Sequence, residues 1–394
     1  MSGEKVLEGI LPVHKPQGVT SADVLRTLQK HFNPSKTFKP WLDAEKARLS
    51  QDPSYQKKRR RNKKPMDVKI GHGGTLDPLA TGILIAGIGK GTKVLSEFLG
   101  CTKSYETVVL FGAETDSYDC LGKVVRRAPT EHITREKVEE ALEQFRGKIM
   151  QRPPIFSALR VDGKKLYEYA RAGKMPPVEI KSRPVETVSL ELVDFYEPGT
   201  HEFKWPEAEM TGDEKTVAEK LLDKDASLPI TTAAAEETAD QGTESSNKRK
   251  SPPPADSPKE GLEGDQGAAK KQKADGGEAQ PVAPEPGNED NEDTPATKSE
   301  KPHSQPPAVK LKMTVTSGFY VRSLAHDLGK ALGSCGLMSS LVRSRQGDYE
   351  LDPEKVLEYK DLEAGEEVWG PKVTRFLTEW EEKRAAKAAS EAEK

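Results

Sequence analysis

The 394-residue chain predicts an α+β fold: a mixed β-sheet with flanking helices, interrupted by a long disordered insertion. Three observations lead there. Segments of strand-like alternation interleave with helical ones without the strand–helix–strand rhythm of a doubly wound sheet. Apolar residues make up only 34% of the chain, too few for a globule packed throughout. The shortfall is local: residues 231–307 hold one Leu (Leu262), one Val (Val282) and no Ile, Met or aromatic residue. Such a stretch cannot bury enough apolar surface to offset the entropy lost on ordering.

Strands are expected at 6–12, 104–111, 187–195 and 309–316, the last on the clean alternation V-K-L-K-M-T-V from Val309. Three helices read well. Ser21 caps one over 22–32, with Val24, Leu25, Leu28 and Phe32 on a single face. Thr134 caps a second over 135–146, with Val138, Ala141, Leu142 and Phe145 at helical spacing and Gly147 as a stop. The third runs over about 322–332, with Leu324, Leu328 and Leu332 aligned and Gly333 following.

These elements divide the chain into an N-terminal part of the catalytic domain (1–33), a basic insertion (34–66), the domain core (67–196), a mostly disordered insertion (197–308), the completion of the domain (309–360) and a partly helical tail (361–394). Within 197–230, Phe203, Trp205, Leu221 and Leu222 leave room for some helix. The run Lys57–Lys64 has seven cations in eight positions and stays solvated. It reads as a nuclear localisation signal, a phosphate-binding arm or a plain surface loop.

Charge and motifs exclude several classes. A net charge of −3 gives no global field for a nucleic acid, although an average can hide a basic domain beside an acidic segment. Cys101, Cys120 and Cys335 are widely spaced, which argues against a disulfide framework or a zinc site. No apolar run reaches the ~20 residues of a membrane span. The N-terminus lacks a basic segment followed by an apolar one and carries Glu4 and Glu8, against a presequence. A soluble intracellular protein is expected. Gly87–Thr92 misses the Walker pattern because Gly91 follows Lys90 where Ser or Thr should stand, and no GxSxG or HExxH occurs.

Two segments carry chemistry. In Gly71-His72-Gly73-Gly74-Thr75-Leu76-Asp77-Pro78-Leu79-Ala80-Thr81-Gly82, glycines permit close backbone approach around one carboxylate. Asp77 with Pro78 could merely cap a helix, but a His and a Thr packed between the glycines and this Asp point to a site. In Thr316-Ser317-Gly318-Phe319-Tyr320-Val321-Arg322, an extended chain would put Tyr320 and Arg322 on one face. There the Arg could hold a carboxylate in its charged form. A third group, Arg160, Lys164, Lys165, Arg171 and Lys174 beside Tyr167 and Tyr169, reads as a phosphate-binding patch or a solvated amphipathic helix.

Gly71–Leu84 resembles the GHxGTLDPxAxGxL signature of the TruB family of pseudouridine synthases. His14–Ser21 resembles its KPxGxTS block, Lys103–Glu106 the block with a stacking tyrosine, Gln151–Ala158 QxPPxYSA, Gly318–Leu324 GTYIRTL, and Leu341 to Gly347 LxRxxxGxF. The likeness covers about 9–196 and 309–350 and fits best the eukaryotic, fungal branch acting on uridine 55 of the tRNA T-arm. It implies a pseudouridine-synthase-like fold and cleavage of a uridine's glycosidic bond, with the uracil rotated and rejoined through carbon, without cofactor or metal. It implies Asp77 as the catalytic carboxylate, Arg322 as its partner and Tyr320 as a proton relay. Tyr105 would stack on a flipped base, His72 would meet the RNA, Leu341 would line the pocket and Lys15 would bind RNA. Phe319, Phe156, Arg160 and Val342 depart from the family pattern without touching Asp77 or Arg322. The 47 residues after Gly347 are too few for the RNA-binding PUA domain of guide-dependent relatives, so a stand-alone enzyme is expected. Expected besides are a monomer without membrane partner, tRNA and as a further class mRNA as substrates, and a nuclear, and also mitochondrial, location. The competing readings are a tRNA-folding chaperone on the same scaffold and a guide-dependent rRNA or mRNA modifier.

Overall fold

The computed structural model describes residues 5–51, 66–172, 176–178, 180–212 and 305–392, with scattered positions between 214 and 222. All belong to one compact unit. The basic run 57–64 and most of the 197–308 insertion lie outside the described residues.

The strands are β1 (Gly9–Lys15), β2 (Ile70–His72), β3 (Thr81–Ile88), β4 (Lys103–Phe111), β5 (Ala113–Thr115), β6 (Val124–Arg127), β7 (Gly147–Gln151), β8 (Arg160–Val161), β9 (Lys164–Lys165), β10 (Arg183–Tyr196), β11 (Ala308–Val315), β12 (Gly336–Gln346), β13 (Tyr349–Glu350) and β14 (Leu357–Glu358). The helices are α1 (Ser21–Phe32), α2 (Lys39–Ser50), α3 (Leu95–Gly100), α4 (Arg135–Leu142), α5 (Leu166–Arg171), α6 (Val321–Ala331) and α7 (Glu366–Ala392). One mixed sheet runs in the order β14-β1-β3-β12-β4-β11-β10-β7, with β2 on β3 and β13 on β12. The β1–β14 and β3–β12 pairs are parallel, and the others along this path are antiparallel. This is the expected α+β architecture. The chain on either side of the insertion rejoins as neighbours, since β10 pairs with β11, and β11 fills the slot beside β4. The alternation read at 309–315 is real: Val309, Leu311, Met313 and Val315 are buried, while Lys310 and Lys312 face away.

The helices lie where periodicity places them, with their ends adjusted. Thr20, not Ser21, is the N-cap of α1: its hydroxyl accepts from the Asp23 N–H in a capping box, and Val24, Leu28 and Phe32 are buried. Each such side chain contributes ~1.5–3 kcal/mol of burial. Thr134 caps α4, which stops at Leu142 and tightens into a 3₁₀ turn over Glu143–Phe145.

One expectation needs correction, and two gain sharper bounds. The 34–66 stretch is not insertion throughout, because Lys39–Ser50 is helical and its approach and first turn bury Phe38, Trp41 and Leu42. Phe38 stacks on Phe32 at 4.4 Å, and the Trp41 indole N–H donates to Glu8 at 2.9 Å. The cations of its second half pulled the average composition away from these aromatics. The 361–394 tail is one helix from Glu366, whose first half closes the core with Trp369, Val373, Phe376 and Leu377 while 381–391 are exposed. Within the 197–308 insertion, Trp205 packs onto the sheet edge and donates its indole N–H to the Phe111 carbonyl at 2.8 Å.

Candidate active site

Asp77 lies in the loop between β2 and β3, and no helix follows it, so the capping reading fails. Four parts of the chain hold that loop through its backbone. The Ser21 hydroxyl donates to the Leu76 carbonyl at 2.9 Å and accepts from the Leu76 N–H at 2.8 Å. The Gly18 N–H donates to the Pro78 carbonyl at 2.8 Å. Arg343, fully buried on β12, donates to Ile83 at 2.8 Å and more weakly to Gly74 and Thr75 at 3.4–3.5 Å. Gln346 donates to Gly73 and Phe98 at 2.5 and 2.9 Å. The blocks around His14, Gly71 and Leu341 thus converge on one turn, which presents Asp77.

Arg322 is the other half of the centre. Its Nε donates to Asp77 Oδ2 at 2.9 Å, across 245 positions of sequence. The guanidinium side chain is only 5% exposed, whereas the Asp77 carboxylate is 34% exposed: a solvent-reachable carboxylate rests on a buried cation. The remaining guanidinium nitrogens are fixed too, with Nη1 donating to the Ser117 carbonyl and Nη2 to the Phe156 carbonyl, both at 2.8 Å. Asp119 Oδ2 stands 3.9 Å from the same Nε that donates to Asp77. Burial pushes the Asp119 carboxyl above the usual carboxylate range, while Arg322 opposes the shift.

Arg322 is not on a strand with Tyr320, as expected from sequence. It sits in the first turn of α6, for which Tyr320 is the N-cap residue without a side-chain capping bond. In place of a cap, the Gln151 amide bonds both backbone groups of Tyr320, at 2.7 and 3.0 Å, and the Ser323 hydroxyl donates to the Arg152 carbonyl at 2.9 Å. The 151–158 segment therefore aims Arg322. The departure at Phe156 is accommodated because Arg322 takes its backbone carbonyl. The Tyr320 ring lies over the Arg183 guanidinium, 4.9 Å from its carbon.

Tyr105 on β4 and Leu341 on β12 occupy adjacent strands, where Arg343 pairs with Tyr105 and Leu341 with Thr107. Both are under 9% exposed and belong to the cluster containing Leu76 and Leu79, which flank Asp77. His72 ends β2 and is half-buried, with an Nδ1 that has no hydrogen-bond partner among the described residues. Burial, aided by the Arg343 charge, holds its imidazole below the ordinary histidine range. Lys15 is placed differently from expectation. It is closed to solvent, and its ammonium donates to the Pro16, Val19 and Pro78 carbonyls at 2.8, 2.6 and 3.4 Å. Those carbonyls, not RNA, are what it binds here, and burial lowers its pKa to about 8. Sequence reasoning missed Ser117, Asp119 and Gln346. The D-S-Y-D run before Gly122 carried a turn signal, while Gln346 carried none. No group of three His, Cys, Asp or Glu able to hold a metal occurs among the described residues.

Residues 58–210 match the family model described as the TruB family pseudouridylate synthase N-terminal domain. The chain is 38% identical to the tRNA pseudouridine synthase 4 of Schizosaccharomyces pombe, over 96% of this chain and 85% of that one. The chain belongs to the TruB family of pseudouridine synthases. The tRNA pseudouridine synthase 4 of Saccharomyces cerevisiae is 31% identical over 95% of this chain and 85% of its own. The tRNA pseudouridine synthase B of Phocaeicola vulgatus is 49% identical over a shorter span, 32% of this chain and 53% of that one. As a TruB member, the chain is an isomerase, and its likeness is strongest in extent to fungal enzymes.

Proposed function

We propose that this chain converts a uridine of the tRNA T-arm, at position 55, to pseudouridine as a stand-alone monomer, with mRNA loops as a further substrate class and the nucleus, and also the mitochondrion, as its location. The observation that carries the reading is the Asp77–Arg322 pair: an accessible carboxylate held by a buried guanidinium at the end of a glycine-lined loop. The target base is enclosed in a folded RNA loop, so the nucleotide must be extruded to reach Asp77. Asp77 then acts on the uridine as the catalytic carboxylate, with Arg322 fixing the carboxylate's orientation. Tyr105 and Leu341 form the apolar wall for the flipped base, and stacking on an aromatic ring is worth ~1–3 kcal/mol. His72 and Tyr320 flank the mouth. RNA affinity comes from cations meeting phosphates, and the β8–β9 hairpin offers Arg160, Lys164 and Lys165 beside Tyr167 and Tyr169.

The test is Asp77→Asn on a T-arm transcript. Pseudouridine formation is expected to fall by ~10³-fold or more, with tRNA affinity retained. An active Asn variant, or an unsubstituted chain that makes no pseudouridine in that transcript, overturns the reading.

A further inference from the structure

His326 and Tyr118 form a buried ring pair, Tyr118 in the turn that meets Arg322. His326 lies one helical turn after Arg322 on α6, so the two side chains share a face. It is 3% exposed, and neither ring nitrogen has a hydrogen-bond partner among the described residues. The nearest carboxylate oxygen, Oε2 of Glu114, is 3.5 Å from Nδ1, while Oε1 of Glu114 accepts from Arg126 at 2.6 Å. What the imidazole does engage is the Tyr118 ring, stacked at 4.1 Å with an interplanar angle of 11°. Burial beside the positive charges of Lys330 and Arg126 keeps the imidazole neutral.

Tyr118 is in the left-handed region, at φ +63°, where an aromatic residue is strained. It stands between Ser117, whose carbonyl accepts from Arg322, and Asp119, whose carboxylate faces Arg322. Backbone bonds to Met338 anchor Tyr118 O and Cys120 N. The Tyr118 N–H donates to the Thr115 carbonyl at 3.2 Å, so the Ser117–Tyr118 peptide plane is set by that bond together with the φ of Tyr118. Relaxing that angle to a negative value turns the plane and swings the Ser117 carbonyl off the guanidinium.

We infer that the His326–Tyr118 stack is a positioning device: it holds the turn at 117–119 in its strained form, so that the Ser117 carbonyl and Asp119 keep Arg322 aimed at Asp77. His326 acts here as a flat neutral ring and not as an acid, a base or a ligand. The inference rests on the pseudouridine synthase reading.

The test is single-turnover pseudouridine formation and tRNA binding for His326→Leu, His326→Phe, Tyr118→Ala and the double variant His326→Leu/Tyr118→Ala. Because small misplacements at a centre cost up to ~100-fold, His326→Leu and Tyr118→Ala are each expected to lower the rate ~10–100-fold, with tRNA Kd within about twofold of the unsubstituted chain. The double variant should be no slower than the slower single one, as members of one unit behave. His326→Phe, which retains a ring to stack on, should recover most of the rate. Unchanged rates in folded His326→Leu or Tyr118→Ala overturn the inference. So do additive losses, a Phe variant as slow as Leu, or affinity falling in step with rate. If the Leu variant does not fold, whichever of Tyr118→Ala and His326→Phe folds decides by the same criteria. An unsubstituted chain without activity sinks the synthase reading instead, a result separate from any of these.

Discussion

At the scale of single residues, the centre depends on an arginine whose every nitrogen is spoken for. Arg322 reaches Asp77, Ser117 and Phe156 at 2.8–2.9 Å with a flat fork. A lysine keeps the charge but offers one compact ammonium, which cannot span a carboxylate and two separate carbonyls. Arg322→Lys should therefore lower single-turnover pseudouridine formation ~10–100-fold while leaving tRNA affinity nearly unchanged. A Lys variant as fast as the parent would mean that charge alone, not geometry, is needed at Asp77. Asp77 was legible in the sequence because three glycines, a His and a Thr crowd around one carboxylate. Arg322 was legible as a type of partner, and the helix carrying it was read over about 322–332, but what starts that helix was not. Gly318-Phe319-Tyr320 has no capping side chain, and the group that starts α6 is Gln151, far away in sequence. The carbonyls of Ser117 and Phe156 could not be read at all, since a backbone acceptor leaves no mark on residue identity.

At the scale of elements, strand pairing sets the distance between the loop and the core. Gly82 pairs with Arg343 across the parallel β3–β12 contact. Its φ is +109°, and a Cβ built there would sit 2.4 Å from the Arg343 carbonyl oxygen and 2.7 Å from its nitrogen. The glycine of the signature is thus a packing requirement, which lets β12 lie close enough for Arg343 to reach Ile83 and the turn before Asp77. Gly82→Ala should destabilise the protein by roughly 1–3 kcal/mol or more, read as a lower urea midpoint, because both a strained φ and a backbone clash are imposed. It should lower activity as well, since the shift occurs beneath Asp77. An Ala variant with the parent midpoint would show that the strands part without cost. The elements most legible in sequence were those whose periodicity is their own, α1, α4, α6 and β11. Those missed, α2 and the buried half of α7, owe their place to a few aromatics (Phe38, Trp41, Trp369, Phe376) set among charges, where windowed composition hides them.

At the scale of the whole molecule, one sheet brings the parts of the centre together, and that assembly buries polar groups. His326 is the clearest case: it is 3% exposed, both ring nitrogens lack a hydrogen-bond partner among the described residues, and its pKa is lowered from the ordinary 6.5 to about 3. Between those values the unfolded chain binds a proton at this site and the folded chain does not. The contribution of His326 to stability is therefore steady above pH 6.5 and lost as pH falls from 6.5 towards 3. The loss is about 1.4 kcal/mol per pH unit across that window. His326→Phe removes the titrating group while keeping a ring against Tyr118. Urea unfolding of parent and variant at pH 7.5 and pH 5 should then show the variant gaining ~2 kcal/mol on the parent at the lower pH, whatever other groups titrate in both. A stability difference equal at the two pH values would mean that the imidazole is solvated or paired in the folded chain.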